Sequence, residues 1–178
     1  MLNIWKYGNL LYLCITKTNK QMNLLEAKQL AETLMKQHGI YELGWRFEFD
    51  NAKRRFGVCR YRSKTIGLSK SLTALNEVGR VKNTILHEIA HALVGAGHGH
   101  NWVWRRKAIE IGCDGKRCYS GETTNTPESR YIAICPKCNH THKRHKLSCR
   151  TKSSSCGKCS QGRYNEAYKL NWKLNPNF

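Results

Sequence analysis

The sequence predicts an α+β protein, in which helices pack on a small, roughly three-stranded antiparallel sheet and a small cysteine-rich module follows. Three observations predict this class. Apolar residues recur at helical spacing in long segments, short alternating runs lie between those segments, and two C-x-x-C pairs occur near the C-terminus. A chain of 178 residues is long enough for one sizeable core and an appendage, but not for two full-sized domains.

The first predicted helix covers residues 24–38, where apolar residues recur every three or four positions and Gly39 follows as a left-handed cap. Residues 45–49 then alternate between aromatic and polar side chains, as a half-buried strand does. Two further short extended runs surround Phe56 and Leu68. The spacing of these runs predicts three strands joined by hairpins.

A second predicted helix covers residues 77–94, and Gly95 and Gly97 make its continuation costly. The third predicted helix covers residues 102–111 and ends at Gly112. The composition then changes to one rich in Gly, Thr, Ser and Asn, which is typical of a linker.

These patterns divide the chain into four segments. Residues 1–21 precede the first regular helix, and we expect them to be a leader or start-codon extension outside the fold. The predicted core is 22–112, the linker is 113–130, and the cysteine module with its tail is 131–178.

The charge favours a polyanionic partner. The chain carries 31 Lys and Arg against 12 Asp and Glu, a formal net charge of +19, and nucleic acid is the expected partner. No membrane role is expected, because the apolar patch at residues 10–15 is too short to span a bilayer. Cysteine pairs at metal-ligand spacing need a reducing compartment, so we expect a cytoplasmic protein.

The segment HEIAHALVGAGHGHNW, residues 87–102, contains the candidate catalytic site. In a helix, His87 and His91 lie one turn apart on one face, so both imidazoles can bind one metal ion. Glu88 is rotated about 100° from His87 and is positioned to act as a base beside the metal. A catalytic zinc takes a third protein ligand, and His98 and His100 both follow the glycines that end the helix.

This segment resembles the signature of the SprT-like (Spartan-type) zinc metalloproteases, in which H-E-x-x-H is followed by a His-Gly pair and then an aromatic residue. His98 and Gly99 match that pair and Trp102 matches the aromatic residue, so the resemblance selects His98 as the third ligand. The resemblance covers roughly residues 22–165. It implies a compact zincin-type core, a catalytic zinc ion, Glu88 as general base, and protein substrates bound or crosslinked to DNA.

The two C-x-x-C pairs predict a second, structural zinc ion. Seventeen residues separate the pairs, which is within the range for two knuckles around one ion, and four thiolates leave no position for water. The pairs also resemble the zinc ribbon that many SprT-like proteins carry. Histidines 140, 142 and 145 and Cys149 are expected in an exposed loop between the pairs. The predicted ligands are Cys135, Cys138, Cys156 and Cys159.

Between the cysteine pairs lies a cationic loop suited to phosphate contacts that do not depend on base sequence. Residues 130–178 contain eleven Lys or Arg and a single acid, Glu166. The candidate nucleic-acid contacts are Lys143, Arg144, Lys146, Arg150 and Lys152.

Together these features predict a monomeric zinc endopeptidase associated with nucleic acid, located at the nucleoid or, in a eukaryotic host, in the nucleus. Two alternatives remain open at this stage. One is a nucleic-acid-binding zinc protein without catalytic activity, and the other is a metalloprotease that cleaves a repressor. The acidic residue at Glu88 argues against the first, because a purely structural site has no need of a base there.

Overall fold

The computed structural model describes residues 21–117 and 125–178, which form two compact units divided between Thr126 and Pro127. Nearly all of the predicted leader lies outside the described residues. Gln21 is the exception, because it forms an isolated antiparallel bridge with Glu77. We refer to the two parts as the N-terminal unit and the C-terminal unit.

In residues 21–117, the N-terminal unit contains the three predicted helices and one more, a short helix that follows directly from the third strand. No helix in the described ranges, 21–117 and 125–178, has the length and apolar character needed to cross a bilayer. The elements are α1 (Leu24–Gln37), β1 (Arg46–Asp50), β2 (Gly57–Arg60), β3 (Thr65–Ser69), α2 (Lys70–Leu75), α3 (Val78–Val94) and α4 (Trp102–Glu110).

Side-chain caps set the starts of the helices. The carboxamide oxygen of Asn23 accepts a hydrogen bond of 2.8 Å from the backbone N–H of Glu26, and Asn101 caps α4 in the same way. At the end of α1, Gly39 adopts a φ of +71°, the left-handed conformation expected of it. The predicted helix boundaries are therefore confirmed to within a residue or two.

The three-stranded sheet has the order β1-β3-β2, and its β1–β3 pair is parallel, so the expectation of a fully antiparallel sheet is wrong. Only β2 and β3 form a hairpin. The chain between β1 and β2 crosses the C-terminal end of β3, where Ser69 donates its N–H to Phe56 O at 2.8 Å and its hydroxyl to Ala52 O at 2.6 Å. This crossing places β3 in the centre and leaves β2 at an edge.

Helix α3 is the centre of the apolar core and packs against α1, α4, β2 and β3. It is buried along most of its length, and Trp104 of α4 is the largest side chain enclosed beside it. Burial at this density makes α3 the rigid part of the unit. Its buried apolar residues are Val78, Val81, Ile85, Leu86, Ile89 and Ala90.

Part of the predicted linker is attached to the N-terminal unit. Cys113 is buried in the main core, and the N–H of Asp114 donates to the Asn83 side chain at 2.9 Å. Further along, Asn125 exchanges two hydrogen bonds with the buried side chain of Asn76, at 2.8 and 2.9 Å. The chain is thus fixed to the core on both sides of residues 118–124.

The C-terminal unit is a small antiparallel sheet of order β5-β4-β6 with short helical turns. In the described part of this unit, the buried apolar cluster consists of only Ala133, Cys135, Cys156 and Leu170. So few apolar side chains provide little stability for a unit of this size, and a metal ion held by the cysteines would add to it. Its elements are β4 (Tyr131–Ile134), β5 (Thr141–Arg144), α5 (Cys149–Lys152), a 3-10 turn (Glu166–Tyr168) and β6 (Lys173–Leu174).

Candidate metal centres

The first candidate centre begins on α3, which presents His87 and His91 one turn apart. The helix ends at Gly95, whose φ of +82° is accessible mainly to glycine. Residues 96–101 then reverse the chain and lead into α4. This reversal returns a third imidazole, that of His100, to the face of α3 that carries the first two.

Three imidazole nitrogens converge there. The Nε2 atom of His100 lies 3.0 Å from Nε2 of His87 and 3.1 Å from Nε2 of His91. Ligand nitrogens around a tetrahedral zinc ion, with bonds of about 2.0–2.1 Å, are about 3.3 Å apart. The spacing and the donor type therefore fit a single metal ion held by three histidines.

The expectation that His98 is the third ligand is wrong in its register, because the structure places His100 in that position. His98 instead lies against Asn101, with 3.4 Å between its Nδ1 and the carboxamide nitrogen. The aromatic residue that packs on the cluster is Trp104, which is 1% exposed, whereas Trp102 is 72% exposed. His100 precedes Trp104 by the same four residues that separate His98 from Trp102, so the predicted motif was displaced by two residues.

Trp104 fixes the orientation of all three rings. Its ring centroid lies 4.6 Å from those of His87 and His100 and 5.2 Å from that of His91, where the rings are stacked. Burial is the main cause that lowers the pKa of His87 and of His91 to about 4, and the neighbouring imidazoles lower both further. The rings are consequently neutral at pH 7, the form in which histidine binds a metal.

Glu88 is enclosed between α3 and the edge strand β2. Burial raises the pKa of its carboxyl to about 7, while the charge of Arg55 and a hydrogen bond from the backbone of Cys59 oppose that rise. The wall opposite the carboxylate is Gly57, where an added Cβ would lie 2.6 Å from Glu88 Oε1 and 2.8 Å from Thr84 Cγ2. Only glycine leaves room for the carboxylate at this position.

The histidines and Glu88 line one open cleft of about 610 Å³. Its opposite wall is β2 and the turn before it, which the sequence did not associate with the site. The contact between α3 and β2 depends on tertiary packing, and no local spacing in the sequence signals it. This wall contributes Arg54, Arg55, Phe56, Gly57, Val58, Cys59 and Tyr61.

The second candidate centre contains the four predicted cysteines, whose sulfur atoms lie within 4.8 Å of one another. The Sγ atoms of Cys135 and Cys159 are 3.8 Å apart, and so are those of Cys138 and Cys156. Zinc–sulfur bonds of about 2.3 Å give a tetrahedral edge of about 3.8 Å. The predicted four-cysteine cluster is therefore confirmed, and the C-terminal unit has the architecture of a zinc ribbon.

Backbone amides assist the thiolates. The N–H groups of Cys138 and Lys137 point at the sulfur of Cys135 and lower the pKa of its thiol to about 6. The expected exposed loop between the pairs contains a strand, because His142 lies in β5 and is half-buried beside His140. Neither histidine belongs to the cysteine cluster.

The five predicted cationic residues are all exposed, but they do not form one loop. Lys143 and Arg144 lie in β5, and Arg150 and Lys152 lie in α5. Adjacent residues of a strand point to opposite faces of the sheet, so Lys143 and Arg144 lie on different faces. Lys143 is opposite Ile132 of the neighbouring strand β4. The Arg144 guanidinium lies 5.8 Å from the centroid of the Trp172 ring.

Lys173, which the sequence reading did not single out, also pairs with Ile132, from β6. Lys143 and Lys173 therefore flank Ile132 on the same face of the ribbon sheet. Little in the sequence indicated the role of Lys173, because β6 has only two residues and lies more than thirty residues after β4.

Comparison with protein families agrees with this geometry. The model of the SprT-like family matches residues 22–127, which span α1 to α4 and the histidine cluster. The chain belongs to the SprT-like family. The match ends where the N-terminal unit ends, so the ribbon is a separate module attached to the SprT-like unit. The same comparisons found no match among curated proteins or solved structures.

The register of the third ligand can be tested by metal content. We expect His100→Ala to reduce bound zinc from two ions to one per chain, because one of three converging nitrogens is removed. His98→Ala should retain both ions. Zinc per chain, measured by mass spectrometry on the purified full chain, decides between them. Loss of an ion in the His98 variant alone would show that His98, as the sequence predicted, is the third ligand.

The close approach of β2 to Glu88 gives a second test. Gly57→Ala should keep both metal ions but lower kcat/KM about 100-fold, since the added methyl group must displace the carboxylate by about 1 Å. Gly79→Ala is the matched control, because nothing lies within 4 Å of the Cβ it would add. Equal activity in the two variants would remove the Glu88–Gly57 contact from catalysis.

Proposed function

We propose that the chain is a zinc-dependent endopeptidase that acts on proteins bound or crosslinked to DNA. The observation that carries the proposal is the placement of three convergent imidazoles and a buried carboxylate in one open cleft beside β2, the edge strand of the described sheet. Membership of the SprT-like family supports the same reaction class.

Zinc fits the histidine cluster because three neutral imidazoles leave a fourth tetrahedral position open, which is the donor set of a catalytic site. A zinc ion held by His87, His91 and His100 would supply a Lewis acid for the peptide carbonyl and would make water a stronger acid. The cysteine cluster, by contrast, is complete with four thiolates and serves structure.

Glu88 is the residue suited to move the proton. As a carboxylate it accepts a proton from the attacking water, and as a carboxylic acid it then donates that proton to the leaving amine. Burial raises the pKa of this group above its usual value, and a zinc cation beside it would act in the opposite direction and favour the carboxylate, the form that accepts the proton. The hydrogen bond from Cys59 and the wall at Gly57 fix the direction in which the carboxylate points.

The open edge of β2 supports a polypeptide substrate. On one side β2 pairs with β3, and on the other it borders the cleft. On the cleft side, the backbone of β2 contacts side chains of the protein itself, since the Gly57 carbonyl accepts from Arg55 and the Cys59 N–H donates to Glu88. An extended peptide lying along this side of β2 would bring a peptide bond beside the histidines.

Charge supports nucleic acid as the tether. The formal net charge is +19, and ribbon residues such as Lys143, Lys146 and Arg150 are exposed. Contacts of this kind bind phosphates of any sequence, which suits an enzyme that must find its substrates wherever they lie on DNA. The protein substrate is then selected by its attachment to the same strand.

The chemistry is tested with Glu88→Gln. We expect this variant to keep two zinc ions and the parent melting temperature but to cleave an unfolded protein at least 1000-fold more slowly, because the amide cannot accept the proton. Cleavage is followed by gel electrophoresis with and without DNA. Cleavage at the parent rate would mean that the histidine cluster is not the catalytic centre.

The tether is tested with a triple variant in which Lys143, Arg144 and Lys146 are all replaced by glutamine. Binding should weaken for all DNA sequences alike, and the slope of log affinity against log salt should fall by about 2 to 3, near 0.9 per lost duplex contact. Cleavage of an unfolded peptide without DNA should stay unchanged, while DNA-stimulated cleavage should decrease.

The matched control neutralises three exposed lysines of the N-terminal unit, Lys28, Lys36 and Lys70, and so changes the net charge equally. If this control reduces the salt slope as much as the ribbon variant does, the effect is one of overall charge. The ribbon would then have no specific part in binding.

A further inference from the structure

Helix α4 has an exposed face that the metal centre does not use. Successive residues of a helix are rotated by about 100°, so Trp102 points away from Trp104 and from the histidines that Trp104 contacts. Trp102 is 72% exposed, and Ile109, two turns further on, is 56% exposed. Aromatic side chains are enriched at recognition surfaces, so this exposed indole is a candidate contact for a ligand.

The indole shares a shallow groove with an exposed cation, Arg106. Trp102 and Arg106 lie one turn apart and line a groove of about 250 Å³ with Val94 and Val103. The other cation in the groove, Lys107, is already paired with Glu110 at 2.6 Å.

Two guanidinium groups on this helix are available to a ligand. Within residues 21–117 and 125–178, neither Arg105 nor Arg106 forms an ion pair, although the charge of Arg106 does act on nearby Glu110. Both side chains are exposed. The groove therefore combines one flat aromatic surface with the exposed guanidinium of Arg106, and Arg105 adds a second exposed positive charge on the same helix.

We propose that Trp102 and Arg106 bind single-stranded nucleic acid, with a base stacked on the indole and a phosphate on the guanidinium. Aromatic side chains beside cations are the usual means of binding unpaired strands without sequence preference. A duplex offers phosphates but no free base face, so stacking on Trp102 would distinguish the two forms. The charge of +19 disfavours a second copy of the chain as the occupant, because like surfaces repel.

This assignment rests on the nucleic-acid association proposed above and gives it a location on the SprT-like unit itself. Trp102 and Trp104 lie on opposite sides of a helix whose diameter is about 10 Å with side chains. A strand on the Trp102 face would therefore pass about one helix width from the metal cluster and leave the cleft open. A protein attached to that strand would be held close to Glu88.

The test measures affinity of the full chain for labelled oligothymidylate and for a duplex of equal length. Trp102→Ala should weaken oligothymidylate binding about tenfold and duplex binding less than twofold, and Trp102→Tyr should restore most of the loss. Ile109→Ala is the matched control, since it removes an exposed apolar side chain from the same face. Unchanged melting temperatures confirm that the folds are intact.

Arg106→Gln should weaken binding and reduce the salt slope on oligothymidylate by about 0.7, the value for one lost single-strand phosphate contact. Lys107→Gln is its control, because that charge is already neutralised by Glu110, and its slope should match the parent.

Three results would overturn the assignment. These are equal losses in the Trp102 and Ile109 variants, equal losses on single strands and duplexes, and a Trp102-dependent affinity for anionic lipid vesicles with DNA binding intact. A parent chain that binds neither DNA form would overturn both this assignment and the proposed tether. If the variants show the expected affinities but the parent chain cleaves no protein, the binding assignment stands and the proposed peptidase function is rejected.

Discussion

The packing of Trp104 against three histidine rings is the contact on which the metal centre depends. In the described part of the chain, Nδ1 of His87 is buried and has no hydrogen-bond partner. Metal-binding histidines are usually oriented by a hydrogen bond to the second nitrogen. Here the orientation comes from apolar packing, because Trp104 lies within 5.2 Å of every ring and is itself 1% exposed. Trp104 is therefore part of both the apolar core and the histidine site.

That contact also explains why the helix break after α3 must be short and glycine-rich. His91 ends the buried face of α3, and α4 begins only two residues after His100. Seven residues must reverse the chain between the helices, and Gly95, Gly97 and Gly99 all adopt positive φ values there. A β-branched residue at any of these positions would strain the turn and shift His100 relative to the other two ligands.

Local signals predicted the helices and the cysteine ligands, because both are encoded within a few residues. The helical spacing of apolar residues in 24–38 and the two C-x-x-C spacings needed no knowledge of the rest of the fold. The parallel β1–β3 pair could not be predicted in this way, since its register depends on a chain crossing at Ser69. The same limit applies to β2 as the wall of the cleft.

The choice between His98 and His100 shows this limit in a single turn of chain. Both histidines follow the glycines, and each precedes a tryptophan by four residues. Burial decides between them, because only one tryptophan of α4 can face α3. The helical period supplies the missing signal: Ala108 and Trp104 are four residues apart and both are buried, whereas Trp102 falls on the exposed side.

The two metal centres differ in what the protein supplies. In the C-terminal unit two of the four cysteines make up half of the buried apolar cluster, so the cysteine cluster and the fold form together. In the N-terminal unit, α3 is already buried by α1, α4 and the sheet, and the histidines occupy one end of a core that does not include a metal. A rigid core beneath an open ligand set leaves one coordination position for chemistry, which four thiolates do not. On this ground we assign the proposed peptidase activity to the histidine cluster and a structural role to the cysteine cluster.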